Sequence, residues 1–425
     1  MAPRARLIAA LLVVLSIVAL AHYTQVWASI PAQQARTSDF AGTYVAATLW
    51  REGRPASMYD VPAEEAVMAA SGAPGYHLYI PFENPPLAAV VASPLSLLGA
   101  DSAYRAWSLL QLAMLVAAVA VVVRAAPRPS AGGRLPILAI ATVGIAGVGG
   151  GLLLVEGQWD GLPALGLALA YAGWRSGRSL APGFVLGFTA ALAKPHLVLG
   201  LLGFMAGRRD WRGLASAAMG AGVVGAAGLV AAGPQALEAF IGALLQPANS
   251  PTSQMQGASG LFGSTLGGGL APYGLALLTG AAAILTAAWL GAVSRRRRDL
   301  LEPAVLGATA LSLFASPHLL GHDLTVLAPA VVAALLWCLR RENGAPAGWP
   351  GPASLAILGG WAAVNIASLF DLGKSGIAFP GRATPWVLLL CCAACVALVL
   401  RSARRDGRSA PRAASAASPS LAARY

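Results

Sequence analysis

The chain has 425 residues, of which 57% are hydrophobic and 11% charged, and a formal net charge of +12. A soluble domain carries about 25% charge, so a water-soluble globular class is excluded. The basic excess sits in turns between apolar runs with no aromatic-interleaved groove, which argues against nucleic acid as a partner.

Apolar runs of roughly 17–25 residues recur along the sequence, the length a bilayer-crossing helix needs. They predict an all-α polytopic membrane protein, since a helix satisfies its own backbone groups in lipid. The first run, 7–28, follows Arg4 and Arg6 as a secretory leader would, but continues to Ala28 with further spans behind it. It reads as an uncleaved first helix. A loop over 29–101 follows, with Ser38-Asp39-Phe40 near its start and an amphipathic helix near 41–52. Phe82-Glu83-Asn84-Pro85-Pro86-Leu87 leads into a short apolar run, 85–98, that contains Pro94. If that run crossed the bilayer, the parity of everything after it would flip, and Arg124, Arg128 and Arg134 would face outside with the other basic clusters. It is therefore expected to be re-entrant or surface-lying.

Helices are expected at 102–123, 135–155 and 159–174. The next two, 180–193 and 196–206, are too short for a ~30 Å hydrocarbon core and read as a hairpin broken at Lys194-Pro195. Such breaks persist where they line a cavity. A helix at 214–232 precedes a second loop, 233–269, with a helix near 235–246 and a polar, flexible stretch from Asn249 to Gln254. The remaining helices are expected at 270–293, 303–316, 323–339, 353–370 and 384–400. Residues 1–402 form one integral-membrane domain of about twelve transmembrane or half-membrane helices. The segment 403–425, rich in Ala, Ser, Arg and Pro, reads as a disordered tail.

One set of turns and both termini hold 22 of the 29 lysines and arginines but only five of the 17 acids. The positive-inside rule assigns that face, with both termini, to the cytoplasm. Cys391, Cys392 and Cys395 share one apolar helix and Cys338 ends another. Without a flanking histidine or acid they read as small packing residues.

Ionisable groups in or beside spans are costly and tend to mark function. On this topology Asp39, Asp60, Glu156, Gln158, Asp160, Lys194, His196, His318, His322 and Asp323 all fall on the non-cytoplasmic side. Simpler roles exist for each group. Asp39 could cap the amphipathic helix, Glu156 to Asp160 could be a solvated turn, and Lys194 could snorkel to the interface. His318 and His322 could form a hydrogen-bonded turn rather than a metal pair.

These residues resemble a known family. Ser38-Asp39-Phe40 with Tyr44, Gly53 and Met58-Tyr59-Asp60 is similar to the first loop of the polyprenyl-phosphate-mannose-dependent mannosyltransferases, glycosyltransferase family 87. Asn84-Pro85-Pro86-Leu87 resembles that family's Pro-Pro re-entry, and Gly157-Gln158 its external turn. Ala193-Lys194-Pro195 followed by Arg208-Arg209-Asp210-Trp211-Arg212 resembles its lysine-proline hairpin. Ser316-Pro317-His318 and His322-Asp323 resemble its late turn. Trp159 and His322 depart from the pattern, where an asparagine nearby and an aromatic residue are usual, and leave the sugar open.

The resemblance implies a GT-C helical bundle with external juxtamembrane helices and a cavity open to the outer leaflet. It implies inverting transfer of mannose or another hexose from a polyprenyl-phosphate sugar to a hydroxyl of a glycolipid or glycan at the outer face of the inner membrane. Such a displacement needs one base, and Asp39 is the candidate. Lys194, His196 and His322 are the candidates for donor phosphate. Asp60, Glu156, Gln158, Asp160, His318 and Asp323 are the candidates for sugar or acceptor hydroxyls. No glycine-rich nucleotide loop or Asp-x-Asp motif stands on the cytoplasmic face, so a lipid-linked donor is expected and no metal or other cofactor. The competing reading is a transporter or lipid-carrier flippase. That reading predicts inverted repeats and polar groups at the midplane; no repeat is visible in the sequence.

Overall fold

The computed structural model describes residues 3–73, 82–127, 133–245, 252–342, 349–372 and 381–408. It is helical throughout, with no strand among the described residues. Asn249 to Pro251 and the tail from 409 onward, both expected to be flexible, lie outside the described residues.

The first span is α1 (Pro3–Ser29). Leu7, Leu11, Leu15 and Val18 stand exposed on it, as side chains facing lipid do. A short helix, α2 (Ala32–Arg36), leads to α3 (Phe40–Arg51), the helix expected near 41–52; it is not half-exposed as an amphipathic helix would be, since every residue from Phe40 to Leu49 is buried. A 3-10 turn, Pro55–Tyr59, and α4 (Val61–Ala70) complete that loop's described part. The short element at 85–98 is α5 (Pro86–Ala92) with a 3-10 turn, Ser93–Leu97. The next span is α6 (Ala100–Ala125). Arg105 ties its start to the end of α1, donating to the carbonyls of Trp27 and Ile30.

The expected single helix at 135–155 is instead two, α7 (Arg134–Ile145) and α8 (Val148–Glu156), bent by 48°. The reason is local. Asn365 Oδ1 takes the Val148 N–H at 2.5 Å, and a Cβ on Gly147 would strike Trp361. An inserted side chain that captures a backbone donor kinks a helix. Then follow α9 (Gly161–Arg175), α10 (Leu180–Leu192), a 3-10 turn at Pro195–Val198, α11 (Leu199–Gly207) and α12 (Trp211–Ala232). The hairpin is broken at Lys194-Pro195 as expected, since Pro195 has no N–H to continue the ladder.

The second loop holds α13 (Pro234–Leu245) and an unexpected helix, α14 (Ala258–Leu266). Its Gly- and Ser-rich sequence reads as coil, yet the Ser259 hydroxyl donates to Pro317 O at 2.7 Å and anchors it. The chain ends with α15 (Leu270–Arg296), α16 (Leu301–Ala315), α17 (Leu327–Glu342), α18 (Pro352–Leu372) and α19 (Ala383–Arg408). The expected helix at 323–339 opens as a 3-10 turn, Gly321–Val326. Helix α19 continues past 402, so 403–408 belong to it rather than to a disordered tail.

Among the described residues, seven helices are long and apolar enough to cross a membrane, or eight if α7 and α8 form one bent span. Helices α16 and α17 are buried almost along their whole lengths and form the centre. Small residues let the helices approach closely, as membrane bundles require. A Cβ on Gly187 of α10 would collide with the Ala217 carbonyl of α12.

Four inner helices are short. Helices α9 and α16 have 15 residues each, α10 has 13 and α11 has 9. At 1.5 Å per residue they are roughly 14–23 Å long, well under a ~30 Å core. Acids and histidines gather where α9 and α11 begin and where α10 and α16 end. Arginines gather at the opposite ends of the same helices.

A second buried cluster lies under the first loop. Phe40, Tyr44, Leu49, Met58, Met68, Tyr104, Trp107 and Trp159 are its large members. Each such side chain stabilises by about 1.5–3 kcal/mol through burial. This cluster fixes α3 against α6 and the α8–α9 turn.

Candidate active site

Asp39 stands at the head of α3, held there by its neighbours. Phe40 is buried and stacks on Trp107 with ring centroids 5.8 Å apart. One turn on, Thr43 Oγ1 accepts from Trp159 Nε1 at 2.9 Å. Trp159 thus has a structural duty that accounts for an aromatic residue there. Asp39 occupies the cap position of α3, but its carboxylate caps no backbone N–H. It accepts from Gln158 Nε2 at 2.6 Å instead.

The α8–α9 turn that carries Gln158 is equally constrained. Gly157 has φ +68°, and a Cβ there would sit 2.8 Å from the Phe40 Cβ. The left-handed backbone and the close approach both call for glycine. Trp107 Nε1 donates to Gly157 O at 2.9 Å, and the Tyr104 hydroxyl donates to Leu154 O and Val155 O at 2.8 Å. Glu156, Gln158 and Asp160 are therefore fixed, not a loose solvated turn.

A chain of charged groups runs through the site. Glu156 Oε2 meets His322 Nδ1 at 2.6 Å, and His322 Nε2 lies 3.5 Å from Asp323 Oδ1. Asp323 Oδ1 lies 2.6 Å from Lys194 Nζ, which also reaches Asp160 Oδ2 at 3.2 Å. Asp323 Oδ2 accepts from the Leu320 N–H at 2.7 Å, which locks the 3-10 turn. Lys194 does not snorkel: its side chain is 14% exposed and bound to two buried aspartates. An ammonium has three N–H donors, so one remains for a ligand.

Asp39, Gln158, Lys194, His196, His318 and His322 line one cavity of about 200 Å³. Glu156, Asp160 and Asp323 join it through the charged chain. His196 and His318 face each other edge to face, 6.0 Å apart, and the buried His196 Nε2 has no hydrogen-bond partner among the described residues. Burial holds the His318 imidazole below its usual range. Asp60 is not brought to the cavity; it is exposed, before α4.

Sequence reasoning assigned no role to Glu83, Asn84 and Phe240, which also line the cavity. Asn84 Nδ2 donates to Ala193 O at 2.8 Å, joining the Pro-Pro re-entry to the broken hairpin. The Tyr59 hydroxyl donates to Asn84 O at 2.8 Å. In Met58-Tyr59-Asp60 it is therefore the tyrosine, not the acid, that serves the site. An acid and an amide directly before Pro-Pro were a usable signal; Phe240, on an amphipathic helix of the second loop, offered none.

Burial raises the Asp39 carboxyl above its ordinary range and the Glu156 charge adds to this, while His322, Gln158 and Lys194 pull it back. Burial likewise raises Glu83, against the pull of Lys194. An acid raised toward neutral pH is suited to proton transfer.

Two groups could each present three metal-ligand atoms within 4.8 Å of one another: Asp39, Glu156 and His322, and Asp160, His322 and Asp323. In the second, the Lys194 ammonium already supplies the cation.

A sequence model of glycosyltransferase family 87 matches residues 82–317, more than half of the chain. Comparison with curated proteins and with solved structures found no match.

Proposed function

Because this chain belongs to glycosyltransferase family 87, we propose that it is a membrane enzyme moving a hexose, with mannose the leading candidate, from a polyprenyl-phosphate sugar to a hydroxyl of a glycolipid or glycan. The observation that carries this reading is the shared cavity: Asp39 and Lys194, 155 positions apart in sequence, line the same space.

In the proposed reaction an Asp39 oxygen takes the proton of the acceptor hydroxyl as its oxygen attacks the anomeric carbon. The anomeric C–O bond to phosphate breaks on the opposite face, and polyprenyl phosphate leaves with the bonding pair. The configuration inverts and no covalent enzyme intermediate forms. Gln158 aims the Asp39 carboxylate. The free N–H of Lys194, with His196 and His318, meets the leaving phosphate. Asp160 and Asp323 keep Lys194 charged and in place. Glu83 and Asn84 are suited to sugar or acceptor hydroxyls. His322, held between two carboxylates, acts through Glu156 and Asp323 more than on the phosphate itself.

The arginine-rich face supports a cytoplasmic assignment for the far ends of the short helices, and with it an outer-side position for the cavity. The test is incubation of purified protein with several polyprenyl-phosphate sugars, scoring which is consumed and whether the product linkage is inverted.

One observation favours a second reading of the chemistry. Four carboxylates, Asp39, Glu156, Asp160 and Asp323, share the network with one ammonium and one imidazole. A divalent cation on Asp39, Glu156 and His322 would balance that charge and recruit phosphate. It would also occupy the base, which is why the metal-free reading is preferred.

A further inference from the structure

The arginines at the far ends of the short helices line a concavity of about 260 Å³, far above the ~15 Å³ that admits one water. Its charged lining is Arg175, Arg178, Arg208, Arg209 and Arg298 against Asp210 alone. Asp210 is already engaged, since its carboxylate caps α12 by accepting from the Gly213 N–H at 3.0 Å. We propose that this cavity binds the phosphate of an anionic phospholipid headgroup in the leaflet opposite the active site.

Two of the arginines are held in advance. Glu302 is fully buried, lies 3.4 Å from Arg175, and accepts from the Tyr171 hydroxyl at 3.2 Å. Arg208 donates to Ser294 Oγ at 2.9 Å and stacks over Phe204 at 5.5 Å. The other three, Arg178, Arg209 and Arg298, have no carboxylate within 4.0 Å among the described residues and are exposed. Guanidinium forks match phosphate oxygens two at a time, and prior fixation lowers the cost of binding.

Arg209 has φ +56°, the one non-glycine with positive φ among the described residues. It is the left-handed residue that closes α11, with the Asp210 N–H donating to Met205 O at 3.0 Å, a conformation glycine would take without cost. Here it turns an unpaired guanidinium into the cavity rim.

The positive-inside rule alone accounts for arginines on this face. It does not account for a hollow between helix ends, or for a buried glutamate spent on orienting one of them. Arg212, Arg295 and Arg296 lie on the same face, are exposed, and do not line the hollow. They show what topology signals look like here. Trp174 and Leu301 add apolar wall, which suits a lipid better than a free ion. The shortness of α9, α10 and α16 recesses the site between spans, where basic pockets take lipid headgroups.

The experiment compares full-length protein in phosphatidylcholine nanodiscs with and without phosphatidylglycerol, reading retained lipid by native mass spectrometry and the thermal midpoint. Wild type should retain phosphatidylglycerol and gain stability from it. A variant carrying Arg178→Gln, Arg209→Gly and Arg298→Gln should lose about tenfold or more in retention. A control carrying Arg212→Gln, Arg295→Gln and Arg296→Gln should behave as wild type. Arg209→Gly alone, which relieves the backbone, should fold at least as well as wild type and still bind less. Equal loss in the control variant would mean general attraction to the anionic leaflet and would overturn the proposal. So would stabilisation by inorganic phosphate without any by phosphatidylglycerol, which would assign the cavity to a soluble phosphate.

Discussion

Gln158 Nε2 donates to Asp39 Oδ2 at 2.6 Å, across 119 positions of sequence. The bond joins the head of α3 to the turn between α8 and α9, and it favours the ionised form of the carboxylate. Gln158→Leu removes it. The Asp39 carboxyl then rises further, because burial and Glu156 already raise it and Gln158 opposes them. As the proposed base Asp39 would work ionised, so activity should be present above its pKa and lost as pH falls through it. The acid limb of the rate–pH profile should move to higher pH in Gln158→Leu, with the alkaline limb unchanged. A limb that stays in place would separate Gln158 from the base.

Among the described residues, Lys194 is the sole ammonium on two buried aspartates. Removing one partner of a buried ion pair costs roughly 3–5 kcal/mol because charge is left uncompensated. Lys194→Ala should therefore lower the thermal midpoint sharply as well as weaken donor binding. Lys194→Met combined with Asp160→Asn and Asp323→Asn should recover stability without recovering donor affinity. Recovery of both would exclude Lys194 from the phosphate site.

Much of this arrangement was legible in the sequence. Breaks and runs placed the helices because hydrocarbon thickness and backbone satisfaction leave few alternatives. Lys194-Pro195 announced its own hairpin, since a proline and a charge inside apolar sequence have few reasons to coexist. The partners of Lys194 were not legible. Asp160 and Asp323 are 163 positions apart in sequence and meet only because α9 begins where the 3-10 turn before α17 lies. The bend at Gly147 depends on Asn365, far along the chain, and no local pattern encodes it. Helix α14 was hidden because its glycines and serines, which read as coil, are the residues that allow its close packing.

Glu64 provides a pH test of the first loop. It is fully buried, its Oε1 accepts from the Phe82 N–H at 3.0 Å, and burial pushes its carboxyl up to about 7. The folded state then holds a proton that the unfolded chain releases above the ordinary carboxylate range. Its contribution to stability is present below that range and falls as pH rises toward 7. Glu64→Gln keeps the acceptor and removes the titration. The variant should lose wild type's fall in thermal midpoint between about pH 4.5 and 7 and be the more stable protein at pH 8. Parallel curves for the two proteins would show that Glu64 does not titrate there.

Chelation separates the two readings of the acidic network. With Lys194, His196 and His318 meeting the phosphate, transfer should continue undiminished in excess EDTA. Loss of activity, restored by magnesium or manganese, would move the chemistry to a cation on Asp39, Glu156 and His322.

The most direct test is turnover of radiolabelled polyprenyl-phosphate mannose by purified wild type and Asp39→Asn, with donor binding measured in parallel. The asparagine keeps the shape and the contact with Gln158 but cannot take a proton, so turnover should fall by about 10²–10⁴-fold while the donor still binds. Turnover at the wild-type rate in Asp39→Asn would contradict the account.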